Sequence, residues 1–215
     1  MKIVCISDIH GKFSVIPHLP EGDTLIIAGD LTNNGALSQL KELDSLLQKT
    51  SFKHIVMIAG NHDWCFQNED KQEARQILKD YTYLQDELAM IDGLYFYGSP
   101  WQPEFCNWAF NLPRGKQLQE KWNRIPTFTD VLITHGPPYG VLDSIQDNSF
   151  HKVGKSLGDQ DLEDVLLDKV HPKLHVFGHI HSSHGQVELL NTIYVNASIL
   201  NEMYQITYNP IVVDI

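Results

Sequence analysis

A chain of 215 residues with 42% hydrophobic and 20% charged residues has the size and composition of one globular domain, spanning residues 1–215, and is neither collagen-like nor disordered. No run approaches the ~18 consecutive apolar residues of a membrane helix. Twenty-seven acidic against 16 basic residues give a net charge of −11, which disfavours long nucleic acids as partners on electrostatic grounds.

Taken in chain order, residues 3–6 form an apolar run that reads as a buried strand and ends in Ser7-Asp8-Ile9-His10. The run is too short for a signal peptide. Residues 25–28 end in Gly29-Asp30. Over residues 36–49, Leu37, Leu40, Leu43, Leu46 and Leu47 recur at spacings of three and four, which predicts an amphipathic helix. Residues 55–59 end in Gly60-Asn61-His62-Asp63. Tyr83-Leu84 follows, then apolar stretches at 88–91 and 94–97 separated by Asp92-Gly93, a hairpin signal. Residues 131–133 end in Thr134-His135-Gly136; residues 158–169 repeat the helical pattern with Leu162, Val165 and Leu166. Residues 175–177 end in Gly178-His179-Ile180-His181, and a second hairpin-like stretch follows residue 185. This alternation predicts an α/β fold of two packed sheets flanked by helices.

Five apolar runs thus end in polar residues able to hold a metal, where sites of α/β proteins gather. Asp8 and His10 are two apart, as are His179 and His181, and extended backbone sends such pairs to one side. Carboxylate, imidazole and amide groups together suit first-row divalent metals rather than calcium: manganese first, with iron, cobalt, nickel or zinc compatible. Seven candidates, Asp8, His10, Asp30, Asn61, His135, His179 and His181, are too many for one tetrahedral site. A two-metal centre about 3.5–4 Å across, sharing one carboxylate, uses them all.

These blocks resemble the signature of the calcineurin-like metallophosphoesterases: D-x-H, GD, GNH[DE], a later H, and GHxH. The resemblance implies a four-layer αββα sandwich with mixed sheets. It also implies that Asp8, His10, Asp30 and His181 hold one metal, and Asp30, Asn61, His135 and His179 the other, with Asp30 as the bridge. His62 is then the catalytic residue at the leaving group. The stretches GDLTNNG (29–35), SPWQP (99–103), FNLPRG (110–115), THGPP (134–138), KLHVFGHIH (173–181) and VNAS (195–198) are similar to the MPPED-type branch, grouped with cyclic-nucleotide phosphodiesterases. Some animal members have glycine where this chain has His179, and GNHD stands here for the branch's GNHE. The implied reaction is hydrolysis of a phosphodiester, such as a cyclic nucleotide, by in-line attack of a metal-bridging hydroxide. With that hydroxide the core would carry near-unit positive charge, which a diester monoanion neutralises. The alternatives are a nuclease, a phosphomonoesterase, or a weakly catalytic nucleotide-binding or scaffolding protein. The arginine of the phosphoprotein-phosphatase motif GDxVDRG is missing after Asp30.

Other residues leave two readings open. Trp101, Phe105, Trp108, Phe110 and Arg114 either stack a base and hold a phosphate, with Trp101, Trp108 and Arg114 as substrate-binding residues, or form a satellite core under a long loop. His184, three residues past His181, either touches the site or packs. His18, His54, His151, His171 and His175 read as surface or packing residues, and Gly154-Lys155-Ser156 lacks the rest of a P-loop. Cys5, Cys65 and Cys106 are widely spaced, with no CxxC pair, which points to a reducing, cytoplasmic setting.

Overall fold

The computed structural model describes residues 1–145 and 155–215; His151 and Gly154 lie outside them. The chain runs β1 (Lys2–Ile6), β2 (Thr24–Ala28), α1 (Leu37–Leu47), β3 (His54–Ile58), α2 (Lys71–Ile77), β4 (Thr82–Tyr83), β5 (Glu87–Ile91) and β6 (Leu94–Ser99). It continues through β7 (Gln102–Pro103), β8 (Asn111–Leu112), α3 (Lys116–Trp122), β9 (Val131–Thr134) and α4 (Gln160–Asp168), then β10 (Leu174–Phe177), β11 (Gly185–Leu189), β12 (Thr192–Asn196) and β13 (Ile211–Asp214).

The strands build two mixed sheets, one ordered β13-β1-β2-β3-β4 and the other β11-β12-β10-β9-β6-β5, with β7 and β8 paired separately. Alternation along each strand decides the layers. Ile3 and Cys5 of β1, Ile26 and Ala28 of β2 and Val56 and Ile58 of β3 meet Phe96, Val131, Ile133, Leu174, Val176 and Val195 of the other sheet. The intervening Val4, Ile6, Leu25, Ile27 and Met57 face Leu40, Leu43 and Leu47 of α1. On the far side, Tyr97, Leu132, Phe177 and Tyr194 pack on Leu118 and Trp122 of α3 and Leu162, Val165 and Leu166 of α4. The result is the expected α/β architecture, four layers in the order αββα.

Both hairpins form. Ile91 pairs with Leu94 across Asp92 and Gly93, whose φ values of 47° and 86° are those of a tight mirror-image turn. The second turn joins Leu189 to Thr192 through Leu190 and Asn191, also at positive φ. The central strands are parallel within each sheet, so their carboxyl ends emerge together. A bridge between Ser7 and Ser198 ties the end of β1 to the segment after β12.

Candidate metal centre

Three of the blocks leave their strands through backbone that L-residues rarely adopt: φ is 55° at Asp8, 44° at His10, 52° at Asp30 and 67° at His179. Such conformations cost energy and persist where surrounding structure enforces them. Here they turn side chains from β1, β2 and β10 toward one point. Close approach explains two glycines: a Cβ on Gly178 would lie 2.1 Å from Asp8 Oδ2, and one on Gly60 2.3 Å from Asp30 Oδ1.

The seven predicted ligands converge. Asp30 Oδ2 lies 3.3 Å from His10 Nε2 and 3.4 Å from His135 Nε2, and Asp8 Oδ1 lies 3.4 Å from His181 Nε2. Asn61 Oδ1 is 2.9 Å from both His135 Nε2 and His179 Nδ1. Ligand atoms fall within 4.8 Å of one another in three sets: Asp8, His10 and His181; Asp8, Asp30 and His135; and His10, Asp30 and His62. Outer hydrogen bonds orient the rings, as they do where an imidazole holds a metal. His135 Nδ1 donates to the Ala28 carbonyl and His181 Nδ1 to that of Asn201. Ser198 Oγ and the His179 amide donate to Asp8. His10 supplies the test of fit: both ring nitrogens are buried without a hydrogen-bond partner, which is costly unless something else is bound there.

Electrostatics point the same way. Burial opposes ionisation of Asp8 and Asp30, yet His181 beside the first and His135 and His10 beside the second hold both carboxyls far below the ordinary range. Burial disfavours the imidazolium of His135 and His181, but Asp30 and Asp8 raise them to about 9. Burial leaves His10 at about 4 and, helped by the charge of His135, His179 at about 3. A nest of ionised carboxylates holding extra protons is a cage in which cations replace those protons. Beneath it, Asp63 accepts from the amides of Leu31, Thr32 and Gly60 and from the Thr32 hydroxyl. Asp63 thereby locks the second block to the third. Burial and the Asp30 charge push its carboxyl up to about 6.

The cage floors a cavity of about 740 Å³ lined by His10, Asp30, Asn61, His62, His179 and His181, with Phe105, Trp108, Arg114 and Tyr204 among its walls. His62 donates from Nδ1 to the Asn33 carbonyl at 2.8 Å, leaving Nε2 free, and Trp108 stacks on its ring at 4.2 Å. The aromatic loop divides between its two readings. Phe105 and Trp108 line the cavity. Trp101 stands apart: its indole N–H donates to Asp86, Lys121 lies over its ring, and Phe110 meets its edge, as in a satellite core. Arg114 reaches the cavity, but its guanidinium donates to the carbonyls of Gly158 and Leu157. His184 packs on Tyr208 and bonds the Ser198 carbonyl, and His175 is wholly buried against Thr134, Phe177 and Tyr194. Tyr204 carries no sequence signal; it lies in none of the blocks and at no periodic spacing from them.

A four-layer sandwich with a nitrogen- and oxygen-rich cage at the carboxyl ends of its strands is the architecture of a metal-dependent hydrolase. The model of the calcineurin-like phosphoesterases matches residues 1–183, and the chain belongs to that family. It is therefore a metal-dependent phosphoester hydrolase by class. Its relatives include metallophosphoesterase domain-containing protein 1 of Homo sapiens, 39% identical with all of this chain and 71% of that protein aligned. UPF0046 protein T07D4.2 of Caenorhabditis elegans is 35% identical over all of this chain and 60% of its own length. Both match the MPPED-type branch. Among solved structures, TT1561 of Thermus thermophilus superposes with a TM-score of 0.61 at 13% identity, over 91% of this chain and 88% of its own, a likeness of fold. Among the described residues no helix is long and apolar enough to cross a membrane.

Proposed function

We propose that the protein hydrolyses phosphodiesters, nucleotides among them, at a two-metal centre. The observation that carries this reading is the position of Asp30, whose Oδ2 lies almost equally far from His10 Nε2 and His135 Nε2, at 3.3 and 3.4 Å. A carboxylate between two sets of nitrogen and oxygen donors is placed to serve both. Asp8, His10 and His181 would complete one set with it, and Asn61, His135 and His179 the other. Two divalent ions, manganese first among them, supply when bound a water that ionises near neutral pH and positive charge for the nonbridging phosphate oxygens.

The chain's own residues do the rest. Asp8 and Asp30 are the two carboxylates among seven ligands, so the loaded cage stays net positive and favours an anionic ester. His62, held at Nδ1 by Asn33 and braced by Trp108, has Nε2 left to take a second proton and, as imidazolium, to give it to the departing oxygen. The cavity volume of about 740 Å³ suits a nucleotide-sized ligand. Cys5, Cys65 and Cys106, all unpaired, support a reducing, cytoplasmic setting.

Metal analysis with paired assays on bis-p-nitrophenyl phosphate and p-nitrophenyl phosphate tests the proposal. Two ions per chain and a preference for the diester are expected, and Asp30→Ala should abolish turnover and lower the stoichiometry. A single tight site at saturating manganese would sink the two-metal centre. A monoester preference would make the protein a phosphomonoesterase, and inertness toward both would favour a binding or scaffolding role.

A further inference from the structure

One wall of the cavity has no role so far. Tyr204 lies beyond the residues that match the family model, on a turn closed by the bridge between Leu200 and Ile206. Its backbone is left-handed, φ 56°, a costly state for a large side chain. Asn201 enforces it: the side-chain oxygen accepts from the amides of Met203 and Gln205, and the main-chain carbonyl accepts the Tyr204 amide. That carbonyl also takes the Nδ1 proton of His181. The turn is therefore mounted on a predicted metal ligand.

The strain aims the ring at the site. Its centroid is 4.9 Å from that of His10, 5.3 Å from His181 and 6.4 Å from His62, yet the residue is 42% exposed. A ring held in a strained conformation over a polar cage and left half open is poorly explained as core packing. Its place in the row of rings suggests its task. Trp108 stacks on His62 at 4.2 Å, His62 meets His10 edge-on at 4.4 Å, and Tyr204 follows His10. Trp108 adjoins His62, whereas Tyr204 lies nearer to His10 than to His62, at 4.9 against 6.4 Å. With His62 serving the leaving oxygen, as the hydrolase reading has it, the departing arm lies toward Trp108 and the other ester arm toward Tyr204. Tyr204 also borders a shallow groove of about 510 Å³ with Gly11, Lys12, Phe13 and Ser14, which gives an arm crossing the ring room to continue.

We propose that Tyr204 is a specificity-determining residue whose ring packs against a planar aromatic group, a nucleobase or an aryl ring, on the retained ester arm of the substrate.

The test is equilibrium binding of phenylphosphonate and methylphosphonate, whose P–C bonds hydrolysis leaves intact, to the manganese-loaded protein, with metal content measured on each sample. The wild type should bind the phenyl probe roughly tenfold or more tightly than the methyl probe, as stacking on one ring provides. Tyr204→Asn, which tolerates the left-handed backbone and so guards against misfolding, should bring the two affinities within about twofold while metal content holds. Tyr204→Phe should keep the preference. Equal weakening of both probes, loss of metal in Tyr204→Asn, a preserved phenyl preference in that variant, or a wild type with no preference would each overturn the proposal. Turnover of bis-p-nitrophenyl phosphate is followed in parallel. A phenyl preference that depends on Tyr204 in a protein without turnover would overturn the hydrolase reading and, with it, the assignment to a retained arm, whereas a phenyl preference indifferent to Tyr204 in a protein that turns over would overturn this proposal alone.

Discussion

His62 sits where two chemistries meet, because a nitrogen of its ring is within 4.8 Å of ligand atoms of His10 and Asp30 while its other contacts orient it toward the cavity. The expected outcome for His62→Ala is unchanged metal content with turnover slowed about 10²–10⁴-fold, the usual cost of a lost general acid. That deficit should shrink for p-nitrophenyl diesters, whose leaving group needs little protonation, and stay large for alkyl diesters followed by release of the alcohol. A fall in metal stoichiometry would make His62 a ligand; an equal deficit for both esters would make its role positional. All seven residues of the cage were legible because each follows an apolar run within a few residues and the motif spacing is specific. Trp108 was legible only as one aromatic residue among several. Its stacking on His62 is a contact between residues far apart in the chain that no spacing rule anticipates, and Tyr204 shows the same limit more fully.

At the scale of elements, pattern strength set what could be read. α1 and α4 bury three residues each at helical spacing and were expected over 36–49 and 158–169. α2 buries only Ala74, and α3 only Leu118 and Trp122, too few to give a period. The hairpin after residue 185 was expected, but its turn was not, since Leu190 is no turn former. It nevertheless sits at φ 51° and is 78% exposed, so it takes on left-handed strain without a packing return. Leu190→Asn should therefore raise stability by up to about 1 kcal/mol, the preference being intrinsic to the backbone. Thermal melting at fixed metal concentration checks this, and a lower midpoint would show that the Leu190 side chain contributes where the structure shows it exposed.

The charge pattern of the cage sets how the whole molecule responds to pH when metal is removed. His135 and His181 are raised from 6.5 to about 9, so their contribution to stability is complete below pH 6.5 and is lost as pH climbs through 9. His10 and His179 are lowered to about 4 and 3, so acidification below 6.5 also destabilises, because the unfolded chain takes up protons that the fold refuses. The melting temperature of chelator-treated protein should peak near pH 6.5 and fall on both sides; a midpoint rising steadily from pH 6.5 to 9 would contradict these assignments. Metal affinity should rise over that same interval, as His135 and His181 give up their protons. The two-sheet architecture was readable from the strand and helix order, whereas the bridge from Ser7 to Ser198 joins positions too distant for any local pattern. The cage has a comparable reach, drawing Asp8, His10, Asp30 and Asn61 from one sheet and His135, His179 and His181 from the other. During synthesis at about 5–20 residues per second, the first four of these emerge roughly six to thirty-five seconds before the last. The nascent chain thus carries only half a chelator for much of its time on the ribosome, and selection of the metal falls to the nearly finished fold.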